Sequence, residues 1–212
     1  QEAATRLLVP QALERQAEAL RLHPGRPLHQ DLLRRPLAFA RERGRGEKER
    51  EKEKGVTGKD VFHMGTGNHH IIGLETAKSG TDNHVLGITA SKEEYDDYVK
   101  LLIADARLGF TYKCYFGDIY QIDRRLMPAL DYATLFHIGE YRTAENDKYG
   151  ALTDTDMTLV LADKLKAGGE IHFYTGSFAY DKGEAAGREL IKSRGFVDAG
   201  KYKTLHIFKK MT

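Results

Sequence analysis

The chain has 212 residues, a formal net charge of +2 and a hydrophobic fraction of 41%, which suits one well-buried domain with an appendage. The balanced charge gives little reason to expect a nucleic acid partner, and no apolar run approaches the roughly 20 residues of a membrane helix. The single cysteine, Cys114, excludes an internal disulfide, and no signal-peptide pattern is present, so we expect a cytoplasmic protein without a membrane partner.

The first 54 residues differ in composition from the rest. Residues 1–42 are rich in arginine, and apolar residues at helical spacing predict two helices there. These helices would form a lid over a site, a packing element or a homodimer contact. Residues 43–54 alternate Arg and Lys with Glu, so we expect a solvated helix or a disordered linker. The main domain is predicted to span 55–212.

From residue 55 onward, apolar strands alternate with helical stretches. The predicted strands are 60–64, 83–88, 111–116, 132–138, 170–174, 196–201 and 203–209, and the predicted helices are 70–79, 92–108, 123–129, 155–167 and 183–194. This alternation predicts an α/β domain with a parallel sheet and helices on both faces. The last two strands leave no room for a crossover helix, so they should pair antiparallel.

Glycines and polar residues follow each of the first three strands. Gly65-Thr66-Gly67 separates the first strand from a helix, and glycines there let a ligand approach the backbone and the N–H groups of the helix start. The second strand ends in Thr89-Ala90-Ser91 and the third in Gly117-Asp118. Because parallel strands end at one edge of a sheet, these residues predict a nucleotide-type pocket.

The order of these motifs resembles the class I S-adenosylmethionine-dependent methyltransferases. Val61–Gly67 looks like the family's first strand and Gly-x-Gly loop, His84–Ser91 like its second strand, and Gly117–Ile119 like its adenine-contact motif. Leu130–His137 and Leu161–Phe173 are similar to its fourth strand and to its helix, glycine turn and fifth strand. The resemblance implies a Rossmann-like, seven-stranded, mostly parallel sheet with an antiparallel last strand, and S-adenosylmethionine as cofactor.

Three positions depart from the family pattern. His63 replaces the acidic residue near the end of the first strand, His69 the third glycine, and Thr89 the acidic ribose ligand. Asp118 would accept a hydrogen bond from the adenine amino group while the Ile119 N–H donates to a ring nitrogen. By this resemblance the cofactor-binding residues are His63, Gly65, Thr66, Gly67, Thr89, Ala90, Asp118 and Ile119.

The fourth strand leads to the predicted catalytic rim. His137 would be a general base beside the methyl-transfer point, or else a structural histidine facing the cofactor. His69, Glu140 and Tyr141 are the expected substrate contacts. We expect no metal site, because adjacent histidines on a turn point in different directions and no Cys or carboxylate spacing completes a ligand set.

The sequence therefore predicts methyl transfer from S-adenosylmethionine to an oxygen or nitrogen of a small-molecule acceptor. A non-catalytic binding protein with a degraded pocket is the first alternative, motivated by the three departures. A nicotinamide-dependent oxidoreductase is less favoured, because the dinucleotide motif requires a third glycine and an acidic residue after the second strand.

Overall fold

The computed structural model describes residues 57–67 and 70–212. The predictions for residues 1–42, for residues 43–54 and for His69 lie outside these ranges. In the described residues the strands are β1 (Asp60–Met64), β2 (His84–Thr89), β3 (Tyr112–Phe116), β4 (Leu130–Leu135), β5 (Leu165–Tyr174), β6 (Phe196–Tyr202) and β7 (Leu205–Lys210). The helices are α1 (Ile71–Ser79), α2 (Lys92–Ala104), α3 (Leu108–Thr111), α4 (Ala144–Asp147), α5 (Asp154–Lys164) and α6 (Tyr180–Arg194).

These strands form one sheet with the order β3-β2-β1-β4-β5-β7-β6. The pairs among β1 to β5 are parallel, and β7 is antiparallel to both of its neighbours. The predicted mostly parallel sheet with an antiparallel last strand is confirmed. The chain leaves β1 toward β2 on one side and later returns to β4 on the other, and ligands bind at such a reversal, outside the carboxyl ends of the strands.

Helices cover both faces of the sheet, as predicted, and bury two apolar clusters. Helices α5 and α6 pack against the face that carries Phe62, Leu135 and Phe173, and α1 and α2 pack against the opposite face. Close packing requires glycine on α1, since a Cβ at Gly73 would lie 2.3 Å from the Tyr112 ring. Among the described residues, no helix is long and apolar enough to cross a membrane.

The predicted helix 123–129 is wrong. The chain from β3 to β4 instead forms a short 3₁₀ turn, Ile119–Gln121, followed by turns. The Asp123 carboxylate accepts a hydrogen bond from the Arg125 N–H at 2.8 Å, which competes with helix formation, and Pro128 disfavours helical backbone at the residue before it. The face of β1–β3 beside this segment therefore keeps an apolar groove of about 600 Å³.

The fifth strand begins five residues earlier than predicted. Helix α5 ends at Lys164 and β5 starts at Leu165. Leu130 pairs with Leu165 and Tyr132 with Glu170, so two steps along β4 match five along β5. Gly168, with a φ of +75°, lies in this bulge. The predicted glycine turn is therefore a bulge inside the strand, beyond which the pairing is regular up to the site.

Candidate functional site

A cavity of about 550 Å³ lies at the carboxyl ends of β1 to β4, within the range of small-molecule sites. It brings together eight of the predicted site residues, which are Gly65, Gly67, Thr89, Ala90, Asp118, Ile119, His137 and Tyr141. Three others, His63, Thr66 and Glu140, are described but do not line it. Residues that the sequence did not single out also line it, among them Glu94, Asn146 and Tyr149.

The glycine loop forms one wall of the cavity. Gly65 and Gly67 have φ angles of +80° and +57°, in the left-handed region that favours glycine. A Cβ at Gly65 would lie 2.4 Å from Cδ2 of His137. The loop backbone and the His137 ring are therefore in direct contact, and no larger residue fits at position 65 without displacing the ring.

A carboxylate lies beside the threonine at the end of β2. Glu94 Oε2 accepts hydrogen bonds from Thr89 Oγ1 at 2.6 Å and from Thr66 Oγ1 at 3.2 Å. Ser91 caps α2, its Oγ accepting from the Glu94 N–H at 3.3 Å. The glutamate at the third helical position thus turns away from its capping role and toward the cavity. In the sequence, the Ser-x-x-Glu spacing from Ser91 to Glu94 is that of a capping box, which gives the glutamate a purely structural explanation.

Asp118 is already engaged by neighbouring residues. Its Oδ1 accepts from the Tyr120 N–H at 2.8 Å, which caps the 3₁₀ turn. Its Oδ2 accepts from the Tyr149 hydroxyl at 2.5 Å and from Asn146 Nδ2 at 3.4 Å. Asn146 lies in α4 and Tyr149 just after it. No sequence pattern indicated that this segment, about thirty residues away in the chain, would cover the cavity beside Asp118.

His137 belongs to a hydrogen-bonded cluster after β4. Its Nδ1 lies 2.9 Å from Oε2 of Glu140, whose side chain is 8% exposed. Glu140 Oε1 accepts from the Ser177 hydroxyl at 2.5 Å. Burial by itself raises the pKa of Glu140, but the hydrogen bonds from His137 and Ser177 outweigh it and hold that pKa below its ordinary value. Glu140 therefore lies behind His137 as a carboxylate.

Tyr141 continues the rim on the open side. Its ring centroid is 5.8 Å from that of His137, and the side chain is 65% exposed. Partial burial, with contributions from Glu140 and Glu94, raises the pKa of Tyr141. Tyr141 is therefore a neutral aromatic wall next to His137.

Two buried histidines lie behind the cavity. His63 Nδ1 is 2.6 Å from Thr134 Oγ1, and burial, reinforced by His137, lowers the pKa of His63 to about 3. His70 bonds the Tyr112 hydroxyl at 2.7 Å and the Glu94 carbonyl at 2.8 Å. Within residues 57–67 and 70–212, no three or more His, Cys, Asp or Glu side chains are placed to hold a metal ion.

Comparison with known proteins gives matches by structure only. No protein-family model matches the chain, and no curated protein matches it by sequence. A candidate caffeoyl-CoA O-methyltransferase from Staphylococcus aureus is similar with a TM-score of 0.54, 15% identity and coverage of 72% of this chain and 76% of that one.

Two further solved structures are similar to this chain to a comparable extent. A methyltransferase from Pyrococcus furiosus has a TM-score of 0.51 and 15% identity, over 74% of this chain and 77% of its own. A candidate rRNA methylase from Clostridium thermocellum has a TM-score of 0.50 and 16% identity, over 74% and 88%. At such identities the likeness establishes the fold, which is the Rossmann-like fold of class I methyltransferases.

Proposed function

We propose that this protein transfers a methyl group from S-adenosylmethionine to an oxygen or nitrogen atom of a small-molecule acceptor. The observation that carries the proposal is the set of residues that line one cavity at the strand ends. A glycine loop, a carboxylate beside a threonine, a second carboxylate and a histidine all line it. Each of the first three strands contributes to the end that would hold the cofactor, and β4 contributes the histidine.

The residues present fit an adenosyl sulfonium. Gly65 and Gly67 leave room for the amino acid part against the loop backbone. The Glu94 carboxylate, held at one oxygen by Thr89 and Thr66, would accept hydrogen bonds from ribose hydroxyls, which a carboxylate binds more strongly than a neutral group does. Asp118 would accept from the adenine amino group, in exchange for the hydroxyl of Tyr149.

The cofactor supplies a methyl group made electrophilic by positively charged sulfur. The task of the chain is to place the acceptor in line with that methyl group and to exclude water. Tyr141 would contact the acceptor, and His137 would take up the proton that it loses.

Calorimetry with S-adenosylmethionine and S-adenosylhomocysteine tests the proposal on the intact chain. We expect both to bind, and Glu94→Gln to weaken binding by about 1–3 kcal/mol through loss of a charged hydrogen bond. Glu93→Gln is the matched control, since Glu93 is exposed and adjacent and does not line the cavity. Absence of binding of either nucleoside at millimolar concentration would overturn the proposal.

One observation favours a second candidate, a non-catalytic binding protein on the same fold. Tyr149 and Asn146 donate hydrogen bonds to the Asp118 carboxylate, which the cofactor would need as an acceptor. The same titration separates the two functions, because a protein whose pocket is closed by its own side chains binds neither nucleoside.

A further inference from the structure

Three side chains after β4 and β5 form a series of hydrogen bonds in which Ser177 and His137 both contact the Glu140 carboxylate. The Ala179 N–H donates to Ser177 Oγ at 3.1 Å, and the Ser177 hydroxyl donates to Glu140 Oε1 at 2.5 Å. Glu140 Oε2 faces His137 Nδ1 at 2.9 Å. Ala179 immediately precedes α6. The series of hydrogen bonds therefore begins at the N-terminus of a helix, where partial positive charge stabilises a carboxylate.

The backbone that carries this pair is fixed on both sides. Glu140 N donates to the His137 carbonyl at 3.2 Å, which closes a turn. Within the turn Gly139, with a φ of +79°, donates its N–H to Asp154 Oδ1 at 2.9 Å and accepts from Lys182 Nζ at 3.1 Å. Helices α5 and α6 therefore hold the turn in place, and the orientation of Glu140 follows from the fold.

The direction of the bonds determines which nitrogen of His137 carries the proton. An ionised carboxylate can only accept, and the pKa of Glu140 lies below its ordinary value. His137 Nδ1 must therefore be the donor, and in the neutral ring Nε2 carries the lone pair. The ring approaches the glycine loop through Cδ2, which would lie 2.4 Å from a Cβ at Gly65, with Nε2 beside it at 3.4 Å, and His137 lines the cavity.

We infer that Glu140 and Ser177 are positioning residues that fix His137 in the Nδ1–H form and direct its Nε2 lone pair into the cavity as a base. The inference rests on the proposed function and assigns Glu140 a role other than substrate contact. As the acceptor atom forms its bond to the methyl carbon, its proton passes to Nε2 and the electron pair of the broken carbon–sulfur bond stays on sulfur. Glu140 stabilises the imidazolium, which later returns its proton to water.

Nitrogen NMR of the full chain labelled in histidine tests this without a substrate. His137→Gln identifies the His137 signals, and protonated and unprotonated ring nitrogens resonate far apart. We expect a protonated Nδ1 and a bare Nε2 in the unaltered protein. Glu140→Leu should shift the ring to the Nε2–H form, Glu140→Gln should restore the Nδ1–H form because its oxygen still accepts, and Ser177→Ala should give a mixture.

Glu145→Leu is the matched control, because Glu145 is exposed and pairs only with Lys148 among the described ion pairs. An Nε2–H form in the unaltered protein, or no change in Glu140→Leu, would overturn the inference. If Glu140→Leu fails to fold, Ser177→Ala decides, since an unchanged ring form there also contradicts it. Calorimetry separates the two claims: a chain with the expected ring form that binds no nucleoside contradicts only the proposed function.

Discussion

The two ends of the cavity use carboxylates in different ways. At the β1–β3 end, Glu94 and Asp118 line the cavity itself and are held there by hydroxyl groups. At the β4 end, Glu140 is withdrawn behind His137 and both of its oxygens are engaged by protein side chains. The carboxylates of the first end therefore face the cavity, where a ligand could reach them, whereas the carboxylate of the second end contacts the His137 ring instead of the cavity.

Gly65 joins the two ends, so its substitution should have the largest effect. Gly65→Ala places a Cβ against His137 and strains a residue with positive φ, and we expect a loss of about 3–5 kcal/mol in the free energy of unfolding. Gly80→Ala is the control, because Gly80 has a φ of +66° but nothing within 4 Å of its Cβ position. Urea denaturation should give only about 1–2 kcal/mol there; equal losses would show that the contact with His137 contributes nothing.

His63, buried behind both ends, should make stability depend on pH. Its pKa is lowered from 6.5 to about 3 in the folded state. Below pH 6.5 the His63 ring therefore binds a proton in the unfolded chain but stays neutral in the folded chain until the pH approaches 3. The contribution of His63 to the free energy of unfolding is fully present above about pH 6.5. It is lost as the pH decreases toward 3, by up to about 1.4 kcal/mol per pH unit. In His63→Gln this part of the slope should vanish, while in His84→Gln, at an exposed position, it should remain.

Asp118→Ala tests the cofactor end alone. We expect binding of S-adenosylhomocysteine to weaken by about 1–3 kcal/mol, because a charged acceptor is lost, while the ring form of His137 stays the same. The measurements are calorimetry and histidine NMR on one sample. Unchanged affinity would remove Asp118 from the site, and a changed ring form would mean that the two ends are coupled.

Tyr149→Phe should have the smallest effect and the opposite sign. Removing the hydroxyl frees Asp118 Oδ2 from one of its two side-chain donors. A ligand that donates to this oxygen then no longer has to displace the Tyr149 hydroxyl. We expect affinity to increase by about 0.5–1 kcal/mol, as measured by calorimetry. Weaker binding would instead mean that Tyr149 contacts the ligand directly.

The sequence predicts those elements whose signals are local. The bounds of β1 are as predicted, because an apolar run stops at a glycine, and the parallel pairing of β1 to β5 follows from the alternation of strands and helices. The helix 123–129 was predicted from composition, but Asp123 and Pro128 provide competing local geometry. The late start predicted for β5 came from treating Gly168 as a turn residue, since a bulge depends on pairing with β4.

The site was predictable to a similar extent. Residues at strand ends converge on the cavity because topology alone brings them together. Glu94 was missed because its spacing from Ser91 has a capping explanation, and its bond to Thr66 spans 28 positions. The position of Glu140 behind His137 could not be anticipated, since β4 ends at Leu135, three residues before its predicted end, and the chain then turns back.

Helix α5 continues directly into β5, so no loop between them could absorb additional residues. Insertions are tolerated where exposed loops absorb them, and between Lys164 and Leu165 there is no loop. One added residue there would turn every later side chain of β5 to the other side of the sheet, unless the bulge at Gly168 took up the extra length. A peptide tag or a new chain terminus introduced into this protein therefore belongs elsewhere, for example in the exposed turn at 105–107, which does not line the cavity.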